Sequence, residues 1–257
     1  MGYPLGMALT STISFQLPDR FGYRETLFGH GWIDLAPHEF DEPTQRFSTV
    51  FMMPGGAADV EVSAAGSRRL RAKITTRRAL DPKARSFARA SLVRMFRIDE
   101  DFREFHDRCR RDPDRAWVCD RGAGRLLRSP TLFEDLVKIL FTTNCSWSAT
   151  RGMVTRLVDG WGPVAPSGRR AFPRPQDLAE ASPETLKREL RCGYRDRALH
   201  RLIAGFAGGS LTEARFSDPA LSTDARRRLV LGLDGFGPYA AGQALRLLGD
   251  YQDLALD

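Results

Sequence analysis

Long apolar runs are missing from this chain. Nothing in its 257 residues approaches the roughly 18–20 consecutive apolar positions that a helical bilayer span needs. The N-terminal segment has neither a basic stretch nor a sustained apolar block, so it makes a poor secretory signal. Gly6 stands where a myristoylation motif wants Ser or Thr. Cysteine is scarce. Cys109, Cys119, Cys145 and Cys192 form no C-x-x-C pair, which removes the usual zinc and cluster motifs and suits reduced, partly buried thiols in the cytoplasm. The histidines His30, His38, His106 and His200 are scattered, and none is assigned to a metal. There is no G-x-S-x-G elbow and no P-loop, and Gly122-Ala123-Gly124 lacks the third glycine of a dinucleotide fingerprint. Acidic residues are outnumbered 39 to 32, giving a formal net charge of +7 and a pI near 9.6. Nearly all the cations are arginine, whose planar fork suits phosphate. A basic surface of this kind fits either ordinary solvation or a polyanion partner.

The hydrophobic content of 42% supports a sizeable core, divided between two lobes. Residues 12–80 alternate apolar and polar positions in four runs separated by Gly and Pro, the pattern of a small antiparallel sheet. At Asp81-Pro82 the pattern becomes helical, with Asp81 as cap and Pro82 in the first turn. Phe87, Leu92, Met95 and Phe96 share a stripe. Ser129-Pro130 is expected to open a helix with an apolar face of Leu132, Phe133, Leu136, Val137, Leu140 and Phe141. A second helix follows the break at Asn144-Cys145-Ser146 and runs to about Trp161. Residues 163–175 read as a loop, and further helices are expected near 176–190, 195–207, 222–233 and 238–248. Trp117, Trp147 and Trp161 are expected in the core. The fold class is α+β: an N-terminal antiparallel β-sheet lobe with a linking helix over 1–110, then an all-α lobe over 111–257.

The segment 229–257 is the most informative. One helix ends near Leu233, and Gly235-Phe236-Gly237 turns the chain tightly. A new helix starts at Pro238. Such a turn leaves backbone N–H groups open at a helix N-terminus, where they and the helix dipole favour a phosphate oxygen. Arg226, Arg227 and Arg228 add positive charge. A plain αα-hairpin has the same outline. Alanines 240, 241 and 244 with Gly242 give the last helix a small face for close packing.

Leu-x-Gly-Phe-Gly-Pro-Tyr-Ala-Ala resembles the hairpin of the helix-hairpin-helix DNA glycosylases, the endonuclease III superfamily. In that family an aspartate lies about one helix and one loop beyond the hairpin, and Asp257 matches it in position and local pattern. Two further segments resemble the 8-oxoguanine branch and its 3-methyladenine relatives. In the helix pair that begins LLRSPTLFEDLVKILFTTNCSWSATRG, Asn144 matches an asparagine that fills the space left by the flipped base. In LRCGYRDRALHRLI, Tyr194 matches an aromatic wedge, with Arg195 beside it near the orphaned base. The hairpin residues Gly235, Phe236, Gly237 and Tyr239 complete the DNA-contacting set. From the residues alone, Tyr194 also fits a core aromatic and Asn144 also fits a helix cap.

The resemblance implies an enzyme that flips a damaged base out of duplex DNA and hydrolyses its glycosidic bond, with Asp257 stabilising the cationic sugar and directing water. The alternative is a non-catalytic damage-sensing module with the same hairpin, differing at Asp257 alone. Family members that also cut the backbone carry a Schiff-base lysine where this chain has Tyr239, which implies a monofunctional hydrolase. Tyr239 points towards alkylated purines, and Asn144 with Tyr194 towards oxidised ones; the choice stays open. No cofactor is expected within the span. The family continues beyond its aspartate with packing helices, so further helices, and any iron–sulfur cysteines, would follow Asp257. The expected partner is duplex DNA carrying a damaged base, with no membrane, for a monomer in the nucleoid-associated cytoplasm.

Overall fold

The computed structural model describes residues 8–66 and 68–252. The fold is α+β, with an antiparallel sheet in the N-terminal part and helices dominating the rest. The chain divides into two compact units. One runs to Pro130 and includes Pro163–Ala171; the other comprises Thr131–Gly162 and the chain from Phe172 onward.

The first unit holds β1 (Leu9–Gln16), α1 (Tyr23–Leu27), β2 (Glu39–Asp41), β3 (Arg46–Met53), β4 (Gly56–Ala64), β5 (Arg69–Thr76), α2 (Pro82–Phe96), α3 (Arg103–Arg110) and α4 (Ala116–Asp120). The strands form one antiparallel sheet in the order β1-β5-β4-β3-β2. Alternation decides the faces. Along β5, Leu70, Ala72 and Ile74 are buried, while Arg69, Arg71 and Lys73 face outward. Phe47 of β3 and Phe96 of α2 meet edge to face at 5.8 Å. Tyr23 of α1 stacks on Phe96, and its buried hydroxyl donates to Val62 O at 2.7 Å and accepts from Phe47 N.

Asp81 caps α2 as expected, accepting from Ala84 N at 2.7 Å, with Pro82 at the first position. The buried face of α2 differs from the expected stripe, since Ala84, Ala88 and Ser91 join Leu92, Met95 and Phe96, while Phe87 is only half-buried. Two arginines of α2 reach the free edge of β1. Arg85 donates to Thr12 O at 3.0 Å and Arg89 to Ser14 O at 3.2 Å. The expected loop at 163–175 is not a free excursion. Ala165 and Ala171 bury Val50 on the outer side of β3, and Ser167 N donates to Asp59 at 2.9 Å.

The second unit is helical: α5 (Leu132–Thr142), α6 (Trp147–Trp161), α7 (Pro183–Leu190), α8 (Asp196–Ala207), α9 (Glu213–Ser217), α10 (Thr223–Leu231) and α11 (Pro238–Leu247). Thr131, rather than Ser129-Pro130, caps α5, accepting from Glu134 N. Instead of burying one face, α5 is buried all round: residues 132–141 are inaccessible, including Glu134, Asp135 and Lys138. Charge survives there because Lys138 Nζ lies 2.7 Å from Glu134 Oε1 and over the Phe172 ring. The small face of α11 is buried as expected, at Ala240, Ala241, Gly242 and Ala244. Among the described residues, no helix is long and apolar enough to cross a membrane.

Candidate nucleic-acid interface

Gly232 through Gly237 connect α10 to α11, and of the two hairpin glycines Gly235 is required by the fold whereas Gly237 is not. Gly235 has φ +81°, and a Cβ there would lie 2.8 Å from Leu140 Cδ1 and 3.1 Å from Ala198 Cβ. Glycine is required for both the backbone region and the close approach to α5 and α8. Gly237 has φ −86° and ψ −173°, extended backbone that any residue adopts, and nothing lies within 4 Å of a Cβ built there. Between them Phe236 turns inward and is 5% exposed, with its N–H bonded to Leu233 O at 3.1 Å. The ring therefore anchors the hairpin in the helical core.

Gly237 is the N-cap of α11 but has no side chain to cap with, and Pro238 has no N–H. The N–H groups of Gly235, Gly237, Tyr239 and Ala240 find no acceptor among the described residues. They sit at the positive end of a ten-residue helix, the geometry that binds a phosphate oxygen.

The facing segment comes from the α5–α6 connection. Ser146 caps α6, accepting from Ala149 N at 3.3 Å, so the capping role open to Asn144 falls to its neighbour two residues on. Asn144 adopts φ +45°, a left-handed backbone that asparagine tolerates better than most residues. Its Nδ2 donates to the Tyr194 hydroxyl at 3.1 Å. Tyr194 lies in the 3-10 turn Gly193–Arg195 and is 61% exposed, which removes the core reading of this ring. The hydrogen bond from Asn144 holds the Tyr194 phenol below the ordinary tyrosine value. Burial opposes this, while Thr143 and the Arg195 charge assist.

Asn144, Tyr194, Gly235, Gly237 and Tyr239 line one pocket of about 890 Å³. Three segments separated by 41 residues or more in sequence thus converge, and all of them belong to the second unit. Cys145 and Trp147 also line it. Cys145 Sγ donates to Phe141 O at 2.9 Å. Trp147, expected in the core, is 37% exposed here, and Trp117 elsewhere is 53% exposed. Among the described residues, no charged side chain lines the pocket. Its surfaces are main-chain donors, hydroxyls, one amide and aromatic rings, suited to stacking and to hydrogen bonds with neutral edges.

Three expected residues stand apart. Phe236 is internal. Arg195 is 6% exposed, with its guanidinium turned into the protein. Asp257 lies outside the described residues. Of the three arginines expected to enrich the hairpin's charge, Arg226 is half-buried and pairs with Asp250 at 3.1 Å while also donating to Phe216 O and Asp218 O, whereas Arg228 is exposed. Asp234, just before the hairpin, pairs with Arg201. Among the described residues, no group of three or more His, Cys, Asp or Glu side chains converges to hold a metal ion.

No family model and no curated protein sequence matches the chain. Solved structures do. The Clostridium acetobutylicum 8-oxoguanine glycosylase/lyase in its apo form superposes with a TM-score of 0.72 at 17% identity, over 98% of this chain and 83% of that one. The same protein with double-stranded DNA containing cytosine opposite 8-oxoguanine gives 0.70 at 16% identity, over 98% and 82%. The 3-methyladenine DNA glycosylase from Archaeoglobus fulgidus gives 0.71 at 15% identity, over 93% and 80%. The chain shares the fold of these 8-oxoguanine and 3-methyladenine DNA glycosylases.

Proposed function

We propose that this chain is a base-excision DNA glycosylase that flips a damaged purine from duplex DNA and hydrolyses its N-glycosidic bond without cutting the backbone. The observation that carries the reading is the convergence of Asn144, Tyr194, Gly235, Gly237 and Tyr239 on one pocket beside the open N–H groups of α11. The fold shared with two kinds of DNA glycosylase supports it. The hairpin amides take a backbone phosphate, and the net charge of +7 favours capture of the duplex. Tyr194 enters the base stack as an exposed ring, and Asn144 fills the space beside it. Asp257 is assigned the carboxylate role at C1′, where positive charge develops as the bond breaks. The monofunctional assignment rests on Tyr239. A phenol forms no Schiff base, no lysine lines the pocket among the described residues, and Lys138 is buried against Glu134.

The test uses two end-labelled duplexes, one methylated at purines and one with 8-oxoguanine opposite cytosine, each incubated with the protein and then treated with hot alkali. Cleavage that requires alkali is the expected result, and the duplex cut names the substrate class. Cleavage without alkali overturns the monofunctional assignment. Asp257→Asn is expected to bind DNA as the parent does and to release no base. Binding by the parent chain without release from either duplex favours the non-catalytic module.

A further inference from the structure

We infer that Arg195 is a positioning residue that closes a four-residue ring with Thr143, Asn144 and Tyr194, assembling the DNA-facing pair before any DNA arrives. The inference rests on the glycosylase reading for its purpose but not for its geometry.

The ring has two covalent sides and two non-covalent ones. Thr143 is bonded to Asn144, and Tyr194 to Arg195, through the chain itself. Asn144 Nδ2 donates to the Tyr194 hydroxyl at 3.1 Å. Arg195 closes the circuit by donating from Nη2 to Thr143 O and from Nε to Thr143 Oγ1 at 3.3 Å. A third nitrogen, Nη1, donates to Cys192 O at 3.2 Å and ties the guanidinium to its own turn. Its carbon also lies 4.6 Å from the centre of the Tyr194 ring, within cation–π range.

Burial decides what this arginine does. A guanidinium at 6% exposure must spend its donors on protein acceptors, and the fork here reaches two segments some 50 residues apart in sequence. The segments it joins would otherwise be independent surface turns. Thr143 sits at the end of α5, and Asn144 holds a left-handed backbone on an exposed loop. Clamping the Thr143 carbonyl fixes the direction in which Asn144 leaves the helix. Stacking beneath Tyr194 fixes the ring that Asn144 meets. The ordering of both side chains is then completed on folding rather than at DNA binding, where each immobilised side chain weakens affinity. Lysine cannot replace this arrangement, because a single ammonium lacks the planar fork.

Arg195 thereby takes a different place from the one the family resemblance implies, beside the orphaned base. The two roles separate experimentally. Arg195→Lys keeps the charge and removes the fork. It is expected to bind an abasic-site duplex about tenfold more weakly, the effect of ordering two side chains at binding. In the free protein, the NMR signal of the Asn144 side-chain amide is expected to move in Arg195→Lys towards its position in Tyr194→Phe. Arg195→Ala, if it folds by thermal melting, is expected to leave the slope of log affinity against log salt unchanged, whereas loss of a phosphate contact lowers that slope by about one. Parental affinity in Arg195→Lys, an unmoved Asn144 amide, or a slope lowered by about one in Arg195→Ala would each overturn the inference. The amide measurement needs no DNA. A chain that never releases a base but shows the shift loses the enzyme reading and keeps the ring.

Discussion

The two rims of the pocket are built by opposite means. On the rim of Asn144 and Tyr194, side chains do the holding: the Asn144 amide donates to the Tyr194 phenol, and the buried Arg195 guanidinium donates to Thr143 and Cys192 across the same two segments. On the hairpin rim the holding comes from side chains that are missing. Gly235 fits because it has no Cβ, and α11 presents open N–H groups because Gly237 and Pro238 supply no cap. The first rim spends part of its hydrogen bonding on itself, and the second is left with main-chain donors to give. A polyanion would therefore be gripped on the hairpin side and probed on the other.

The largest effect should come from Gly235→Ala. A left-handed φ and a 2.8 Å approach to Leu140 together predict a loss of about 3 kcal/mol in urea unfolding. An unchanged midpoint would show that the hairpin can move off α5. Next comes Arg195→Ala, which removes the donors to the Thr143 and Cys192 carbonyls and should cost about 2 kcal/mol in the same assay. Gly237→Ala sharpens the contrast between two glycines two residues apart. Stability should stay within about 0.5 kcal/mol, while duplex affinity falls about tenfold as a methyl group projects into the open space from which a phosphate would approach.

The smallest effect is a comparison of two tyrosines by alkaline titration. Tyr194 should ionise below the ordinary value of 10, and Tyr194→Phe should remove that first phase. Because its folded pKa is lowered, Tyr194 adds stability as pH rises from that lowered value towards 10. Tyr23 works in the other direction. Burial of its hydroxyl pushes its pKa well above 10, so its contribution is complete below pH 10 and is lost as pH rises further. Thermal melts between pH 8 and 11 should therefore turn downward near pH 10, and Tyr23→Phe should flatten the fall.

Much of this was legible in the sequence. Period-two alternation gave the four long strands, and Asp81-Pro82 marked the start of α2. Asn144, Tyr194 and the hairpin glycines were identified before any geometry placed them on one pocket. The misses have physical causes. The three-residue β2 and five-residue α1 are too short to carry a period. Trp117 and Trp147 were expected inside because they are large and apolar, yet tryptophan is rarely fully buried and each keeps a face in solvent. The two-sided burial of α5 was hidden by Glu134 and Lys138, which look like a solvated face until their i,i+4 pairing is seen. Whether the apex Phe236 points in or out, and whether Arg195 reaches outward or back to Thr143, depends on partners far away in the chain. Local pattern cannot hold that information.

The arginines of α2 that reach β1 also bear on how this protein behaves when concentrated. An edge strand with unpaired carbonyls is a template on which another chain can add a strand and begin aggregation. Here Thr12 O and Ser14 O are already occupied by the guanidinium groups of Arg85 and Arg89. An incoming strand would have to displace two charged donors and bring its backbone against two positive charges. The β1 edge thus carries its own stop against growth, supplied from a neighbouring helix.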